Sequence, residues 1–378
     1  MRCLSRPGQP HPAIWSDVTS SPSILPTPSG GAVAARHISE FQELTQRISA
    51  AGLMRRRYGF YWGAFIAAGV ALAGVWTGVV LLGDSWLQLI LAGALGLIFA
   101  QLGFLGHEAC HRQIFRSARW NEWSGRVVSG LLVGISYGWW MKKHSRHHAS
   151  PNQLGKDPDI ESRAVAFSSE AAEKRRGLGA WLARRQGSFF IPLLMLEGLS
   201  LHASSIGRAL GRRPVKHRAV EIIFLAVRIL GYLGLVFLLL PPGIAAAFVG
   251  VQLLVFGLLL GGAFAPNHIG MPITPHGMSV DFLRRQVLMS RDIRGGPVVR
   301  FLMGGLDTQV EHHLFPGMPR PNLRRAQAIV RSYCRQHGIL YTETSIWRAY
   351  TTILRYLNRV GLGQRDAFAC PVAQQYRV

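Results

Sequence analysis

Residues 58–111 read YGFYWGAFIAAGVALAGVWTGVVLLGDSWLQLILAGALGLIFAQLGFLGHEACH. The run from Tyr58 to Leu82 carries no charged side chain, and neither does the run from Trp86 to Gly106. Each reaches the roughly 20 residues that a helix needs to cross a bilayer. Only Gly83, Asp84 and Ser85 separate them, so the chain must turn back at once and form a hairpin. A second hairpin follows the same logic, with spans over 220–240 and 243–265 joined through Pro241-Pro242. The apolar run at 58–106 ends directly on His107-Glu-Ala-Cys-His111, which places polar, metal-competent side chains at a membrane edge.

Charge sets the topology. The chain has 42 Lys and Arg against 19 Asp and Glu, a formal net charge of +23. A surplus of this size suits either nucleic acid or an anionic membrane surface. The basic residues flank the apolar spans, for example Arg55-Arg56-Arg57 before Tyr58, so the membrane reading holds and no nucleic-acid partner is expected. Neither hairpin turn contains Lys or Arg, whereas His107–Arg218 and His268–Val378 are rich in both. The positive-inside rule then puts both large segments and both termini in the cytoplasm. Phe189–Ile206 is apolar but contains Pro192, Glu197 and His202. It is read as interfacial or packed on the bundle, because a fifth span would put the later histidines across the membrane from the earlier ones. Gly125–Trp140 is read the same way. Ser39–Leu53 has a capping-box start and Phe41, Leu44 and Ile48 at helical spacing, which predicts a short amphipathic helix. Residues 1–38, rich in Pro, Ser and Gly and without an apolar leader, read as a disordered tail, and 362–378 as a C-terminal tail. The cysteines, Cys3, Cys110, Cys334 and Cys370, form no C-x-x-C pair and no disulfide framework.

Three histidine clusters carry the chemistry: His107 and His111; His144-Ser-Arg-His147-His148; and Gln309-Val-Glu-His312-His313. His268 follows Asn267 at the end of the fourth span. At about 100° per residue, offsets of three and four keep each cluster on one helix face. Taken singly, an H-x-x-x-H pair is as readily structural as functional, and a lone His268 is more often a packed core or interface histidine than a ligand. Eight imidazoles gathered at one face of a membrane protein have no ordinary packing role. The other six (His11, His37, His202, His217, His276 and His337) lie outside any such spacing. Imidazole suits Zn, Cu, Fe and Ni. Eight nitrogens exceed the four that a tetrahedral zinc takes. They suit two redox metals with open positions, with iron the expected metal and O2 its ligand.

GHEACH at 106–111, KHSRHHASPN at 143–152, NHIGM at 267–271 and QVEHHLFPGMPRPNL at 309–323 together resemble the membrane fatty acid desaturases. The resemblance covers residues 39–361. It implies an all-α integral membrane domain with four transmembrane helices in two hairpins, a helical cytoplasmic cap holding the metal site, and a di-iron centre. By position, His107, His111, His144, His147, His148, His268, His312 and His313 would be the iron ligands. Gln309 stands where the acyl-CoA branch has a histidine, as in front-end acyl desaturases. It is a candidate to support the ligands from behind, with Asn267, Asp157, Asp159 and Glu108. The reaction implied is O2-dependent desaturation of a fatty acyl substrate, carried by CoA or a lipid, at a bacterial inner membrane. No HPGG haem motif accompanies the boxes, so the expected electron source is a separate ferredoxin or NAD(P)H-linked reductase. A membrane hydroxylase or ketolase would share the ligand set and differ in product. An intramembrane zinc protease would use His107-Glu108-x-x-His111 with Asp307 but leaves six histidines idle. A metal transporter would place ligands within the spans, where only Arg228 and the edge residue Glu221 are ionisable.

Overall fold

The computed structural model describes residues 30–162 and 164–363, with side chains from His37 onward. The described residues are helical apart from loops and two three-residue strands. In chain order the elements are α1 (Gly30–Ala50), α2 (Tyr58–Leu82), α3 (Gln88–Cys110), α4 (Ala118–Arg126), a π-helical segment (Val127–Val133), α5 (Tyr137–Ala149), α6 (Ser169–Glu173), α7 (Gly177–Ala183), α8 (Phe190–Met195), α9 (Glu197–Leu210), α10 (Arg218–Leu239), α11 (Pro242–His268), α12 (Phe282–Leu288), β1 (Asp292–Arg294), α13 (Pro297–Leu302), α14 (Gln309–Leu314), α15 (Arg320–Gln336), β2 (Glu343–Ser345) and α16 (Ile346–Gly361). Strands β1 and β2 pair in parallel.

Among the described residues, α2, α3, α10 and α11 are the helices long and apolar enough to cross a bilayer. Only 11% of the most apolar stretch of α2 is buried within the protein, so its surface has to meet lipid. Val70, Leu81, Ile90, Leu230 and Leu238 belong to that exposed apolar belt. The first hairpin closes by side-chain satisfaction of helix-end carbonyls. Gln88 Nε2 donates to Val79 O (2.8 Å) and Gly83 O (2.9 Å), groups that lipid could not solvate. Pro242 opens α11 at its first position, where its missing N–H costs nothing.

The two central helices, α3 and α11, pack along each other around Phe99, Leu102, Phe248, Phe256 and Leu260. Helices α8 and α9 divide the Phe189–Ile206 stretch and lie against α11, and neither is as long as the roughly 20 residues a span needs. Close approach here requires glycine: a Cβ on Gly257 would fall 2.6 Å from Gly198 N. The ionisable groups of the third span are held locally. Arg228 Nε donates to Leu132 O (2.7 Å), and its guanidinium lies over the rings of Phe99 and Tyr232. Glu221 takes Arg126, Ser136 and the Gly138 N–H. Arg228 therefore fastens α10 to the π-helical segment, and Glu221 fastens it to α4 and the start of α5.

A second apolar core builds the cap, joining Leu44 and Ile48 of α1 to Leu283, Val310, Leu323 and Tyr333. The amphipathic helix expected from Ser39 begins earlier, at Gly30, because the Ala-rich stretch 32–35 supports the helix. Residues 30–38 of the expected tail are thus helical. The rest of that tail, 1–29, and residues 364–378 of the C-terminal one lie outside the described residues.

Candidate metal centre

Four elements deliver the eight imidazoles. His107 sits in the last turn of α3 and His111 at its C-cap. His144, His147 and His148 lie on α5, started by Ser136, whose hydroxyl accepts from Trp139 N (3.2 Å). His268 is the last residue of α11, and the carbonyls of Pro266 and of Ile269 just beyond the helix accept from the Arg291 guanidinium. His312 and His313 lie on α14, where the Asp292 carboxylate accepts from Val310 N (2.9 Å) at the helix start.

The side chains gather into two groups. One nitrogen each from His107, His111, His144, His148 and His312 lie within 4.8 Å of one another. His147, His268 and His313 form a second such group. In the first, His144 Nε2 faces the Nε2 atoms of His107 (2.9 Å), His111 (2.9 Å) and His148 (3.0 Å). A ring nitrogen carries one proton or one lone pair. No assignment of protons satisfies all three contacts, but a cation among the nitrogens does. The buried Nε2 atoms of His312 and His313 have no hydrogen-bond partner among the described residues, which fits the same need. Trp140 stacks on His144 and closes one side of the group.

The ring nitrogens facing outward are tied down, which aims the inner ones. His147 Nδ1 donates to Asp157 (3.0 Å), His268 Nδ1 to Met289 O (2.9 Å) and His313 Nδ1 to Gln286 Oε1 (2.9 Å). Each bond places the proton on Nδ1 and leaves the Nε2 lone pair pointing into the group. Asp157 is itself held by Asn152 N (2.7 Å) and Asp159 N (2.9 Å). Gln309 Nε2 lies 2.9 Å from His268 Nε2, and Gln309 Oε1 accepts from Asn267 Nδ2 (3.2 Å). Gln309 therefore touches an inner ring nitrogen, and Asn267 backs it. Asp159 lies 3.4 Å from His147 Nδ1 and pairs with Lys143 (2.8 Å). Burial works against charge on Asp159, but Lys143 and His147 more than offset it and hold its pKa down to about 2. Glu108 does not join this shell. One residue round the helix from His107, its carboxylate pairs with Arg320 instead. Asp307 lies outside both groups, 3.5 Å from Arg300. Gln286 and the Met289 carbonyl carry no sequence signal, being an ordinary helical glutamine and a backbone group. Asn152 sits inside the second histidine motif and was within reach of a reading that asked what holds Asp157.

Burial first, then the neighbouring imidazoles, hold the pKa values of His144, His148, His312 and His313 well below the ordinary 6.5, and that of His111 down to about 3. His147 goes the other way: burial opposes its charge, but Asp157 and Asp159 outweigh burial and raise it. For the five lowered groups the unfolded chain binds protons that the folded chain refuses once pH falls below about 6.5. Stability then falls with pH. The unfolding midpoint of chelator-treated protein is expected to drop by on the order of several degrees per pH unit between pH 7 and pH 5. A flat profile across that window would show that these imidazoles are not held neutral.

A cavity of about 460 Å³, mostly apolar, opens onto His147 and His268 and is lined by Phe190, Leu194, Leu260 and Phe264 among others. Residues 84–345 match the family model described as fatty acid desaturase. The chain is 32% identical over 283 residues to an acyl-lipid (9-3)-desaturase of Physcomitrium patens, covering 72% of this chain and 53% of that protein. It is 31% identical over 287 residues to an acyl-lipid (9-3)-desaturase of Borago officinalis, covering 72% and 63%. It is also 28% identical over 335 residues to fatty acid desaturase 3 of Bos taurus, covering 86% and 73%. The matched segment thus spans little more than half to three-fifths of the moss and borage proteins.

Proposed function

Because this chain belongs to the fatty acid desaturase family, we propose that it is an oxidoreductase that introduces a double bond into a fatty acyl chain, using two irons and O2. The observation that carries this reading is the pair of adjacent imidazole groups, in the first of which no arrangement of protons can satisfy the Nε2 contacts of His144. His107, His111, His144, His148 and His312 would hold one iron. His147, His268 and His313 would hold the other, with Gln309 beside them. An iron pair, when bound, supplies the oxidising power that an unactivated C–H bond demands. The balance is two hydrogens from adjacent methylenes, plus two electrons from a donor protein and two protons from solvent, reducing O2 to two waters. A ferredoxin or an NAD(P)H-linked reductase would be the donor.

The chain's own residues do the positioning. The apolar walls at Phe190, Leu194, Leu260 and Phe264 would hold the acyl chain extended beside His147 and His268 and exclude water. Asp157, Gln286 and the Met289 carbonyl keep the ring nitrogens aimed through the reaction. The face bearing the site would be cytoplasmic, following the basic segments that surround it.

Profiling the fatty acids of cells that express the chain tests the proposal. New unsaturated acyl chains are expected, and they should vanish in the His312→Ala variant. Hydroxylated chains in their place would assign the same scaffold to hydroxylation. An unchanged acyl profile with iron-loaded protein would overturn the proposal.

A further inference from the structure

Of the four elements that carry the imidazoles, only α5 and α14 feed both groups. Helix α5 gives His144 and His148 to the first and His147 to the second. Helix α14 gives His312 to the first and His313 to the second. The spacing between the groups therefore depends on how α14 is seated against α5. A helix of six residues cannot seat itself, since isolated helices below roughly 12–15 residues are marginal in water. Its N-cap does not help, because the Thr308 hydroxyl donates back to Gly305 O (3.0 Å) and makes no cap bond.

A buried polar node holds α14 from outside. Asp292 Oδ1 accepts from Val310 N (2.9 Å) in the first turn of the helix. Asp292 Oδ2 accepts from Gln327 Nε2 of α15 (2.7 Å) and from the Tyr341 hydroxyl. Glu311 Oε1 lies 2.9 Å from that same hydroxyl. Tyr341 thus joins the carboxylate of β1 to the residue directly before His312. Asp292 is itself fixed in β1, where its N–H donates to Thr342 O (3.0 Å). Both Asp292 and Glu311 are fully buried. Two buried carboxyl groups cost stability relative to apolar residues of the same shape. What they provide is direction: hydrogen bonds fix an angle, whereas apolar packing alone would let so short a helix turn about its axis.

We propose that the Tyr341 hydroxyl is a positioning group for both irons. By joining Asp292 to Glu311 it sets the rotation of α14, and so holds His312 and His313 in register with the imidazoles of α5. The proposal rests on the two-iron reading above. Tyr341 lies 30 residues beyond Glu311 in the chain and outside every histidine motif.

The test is Fe(II) titration of the chelator-stripped full chain without O2, against a coloured competing chelator. It yields one dissociation constant per iron. Tyr341→Phe keeps the ring and removes only the hydroxyl. Both constants should rise about tenfold or more, as for other groups that orient metal ligands. Tyr333→Phe is the control. It makes the same change in the same cap core, at a hydroxyl that bonds only α1, at Glu40 and Glu43, among the described residues. It should lower the unfolding midpoint of the metal-free chain and move neither constant by more than about twofold. If Tyr341→Phe lowers the midpoint but leaves both constants within about twofold of the parent, Tyr341 is a structural residue only and the proposal is overturned. A rise in one constant alone overturns it too, since α14 serves both groups. So does an equal rise in the control, because any loosening of the cap would then suffice. Gln327→Ala removes the other side-chain donor to Asp292 and is read the same way; it decides if Tyr341→Phe cannot be purified. The desaturase reading fails differently: the acyl profile of cells stays unchanged while the iron constants follow this pattern.

Discussion

His312→Ala is expected to abolish turnover and to lower iron from about two per chain towards one. His312 lies in the five-imidazole group, nearly inaccessible to solvent, and its Nε2 has no hydrogen-bond partner among the described residues. The loss should exceed the roughly 10–100-fold typical of residues that merely orient a metal ligand. His147→Ala should remove metal from the other group, which it shares with His268 and His313. The two variants should therefore each keep about one iron, and the double variant almost none. Elemental analysis of purified protein, with turnover measured on the same preparations, checks this. A parent protein holding one zinc, or single variants that keep both irons, would overturn the two-group assignment.

Asp157→Ala is expected to have the next largest effect, although Asp157 touches no inner ring nitrogen. Its carboxylate is fully buried and accepts from His147 Nδ1, Asn152 N and Asp159 N. Removing it frees the His147 ring to turn and leaves buried donors unpaired, each costing about 1–3 kcal/mol. Metal affinity or activity should fall about 10–100-fold, with the second group emptied first. Asp157→Asn should be milder, because the amide oxygen can still accept one of these bonds. Glu108→Gln is the contrast. Glu108 pairs with Arg320 rather than with an imidazole, so iron content should hold while thermal stability falls. Iron titration and unfolding midpoints on the three variants separate the two carboxylates. Loss of iron in Glu108→Gln equal to that in Asp157→Ala would mean the Arg320 pair also supports the site.

Local pattern determined the four spans, since crossing a bilayer needs only an uninterrupted apolar helix, and α2, α3, α10 and α11 fall within a few residues of the stretches read from the sequence. It also determined which face each histidine cluster shares, because helical spacing alone sets that. His268 has no spacing partner and was placed by its position at the end of a span, where it is found. The tertiary structure alone decided how the eight imidazoles divide. His144 and His147, one helical turn apart on α5, belong to different groups, and which group each joins depends on rings brought in by α3, α11 and α14. The same holds for what orients them. Gln286 meets His313 only because α12 packs on α14, and Glu108, for all its place inside the first motif, is claimed by Arg320. Even Lys142, Arg146, Arg208 and Arg212, which read in the sequence as scattered positive-inside charge, become one pocket only when α5 and α9 lie side by side. Periodicity along one helix is a local property and survives in the sequence. The meeting of side chains from distant helices depends on packing angles and on close approaches such as Gly198 to Gly257, which no single segment encodes.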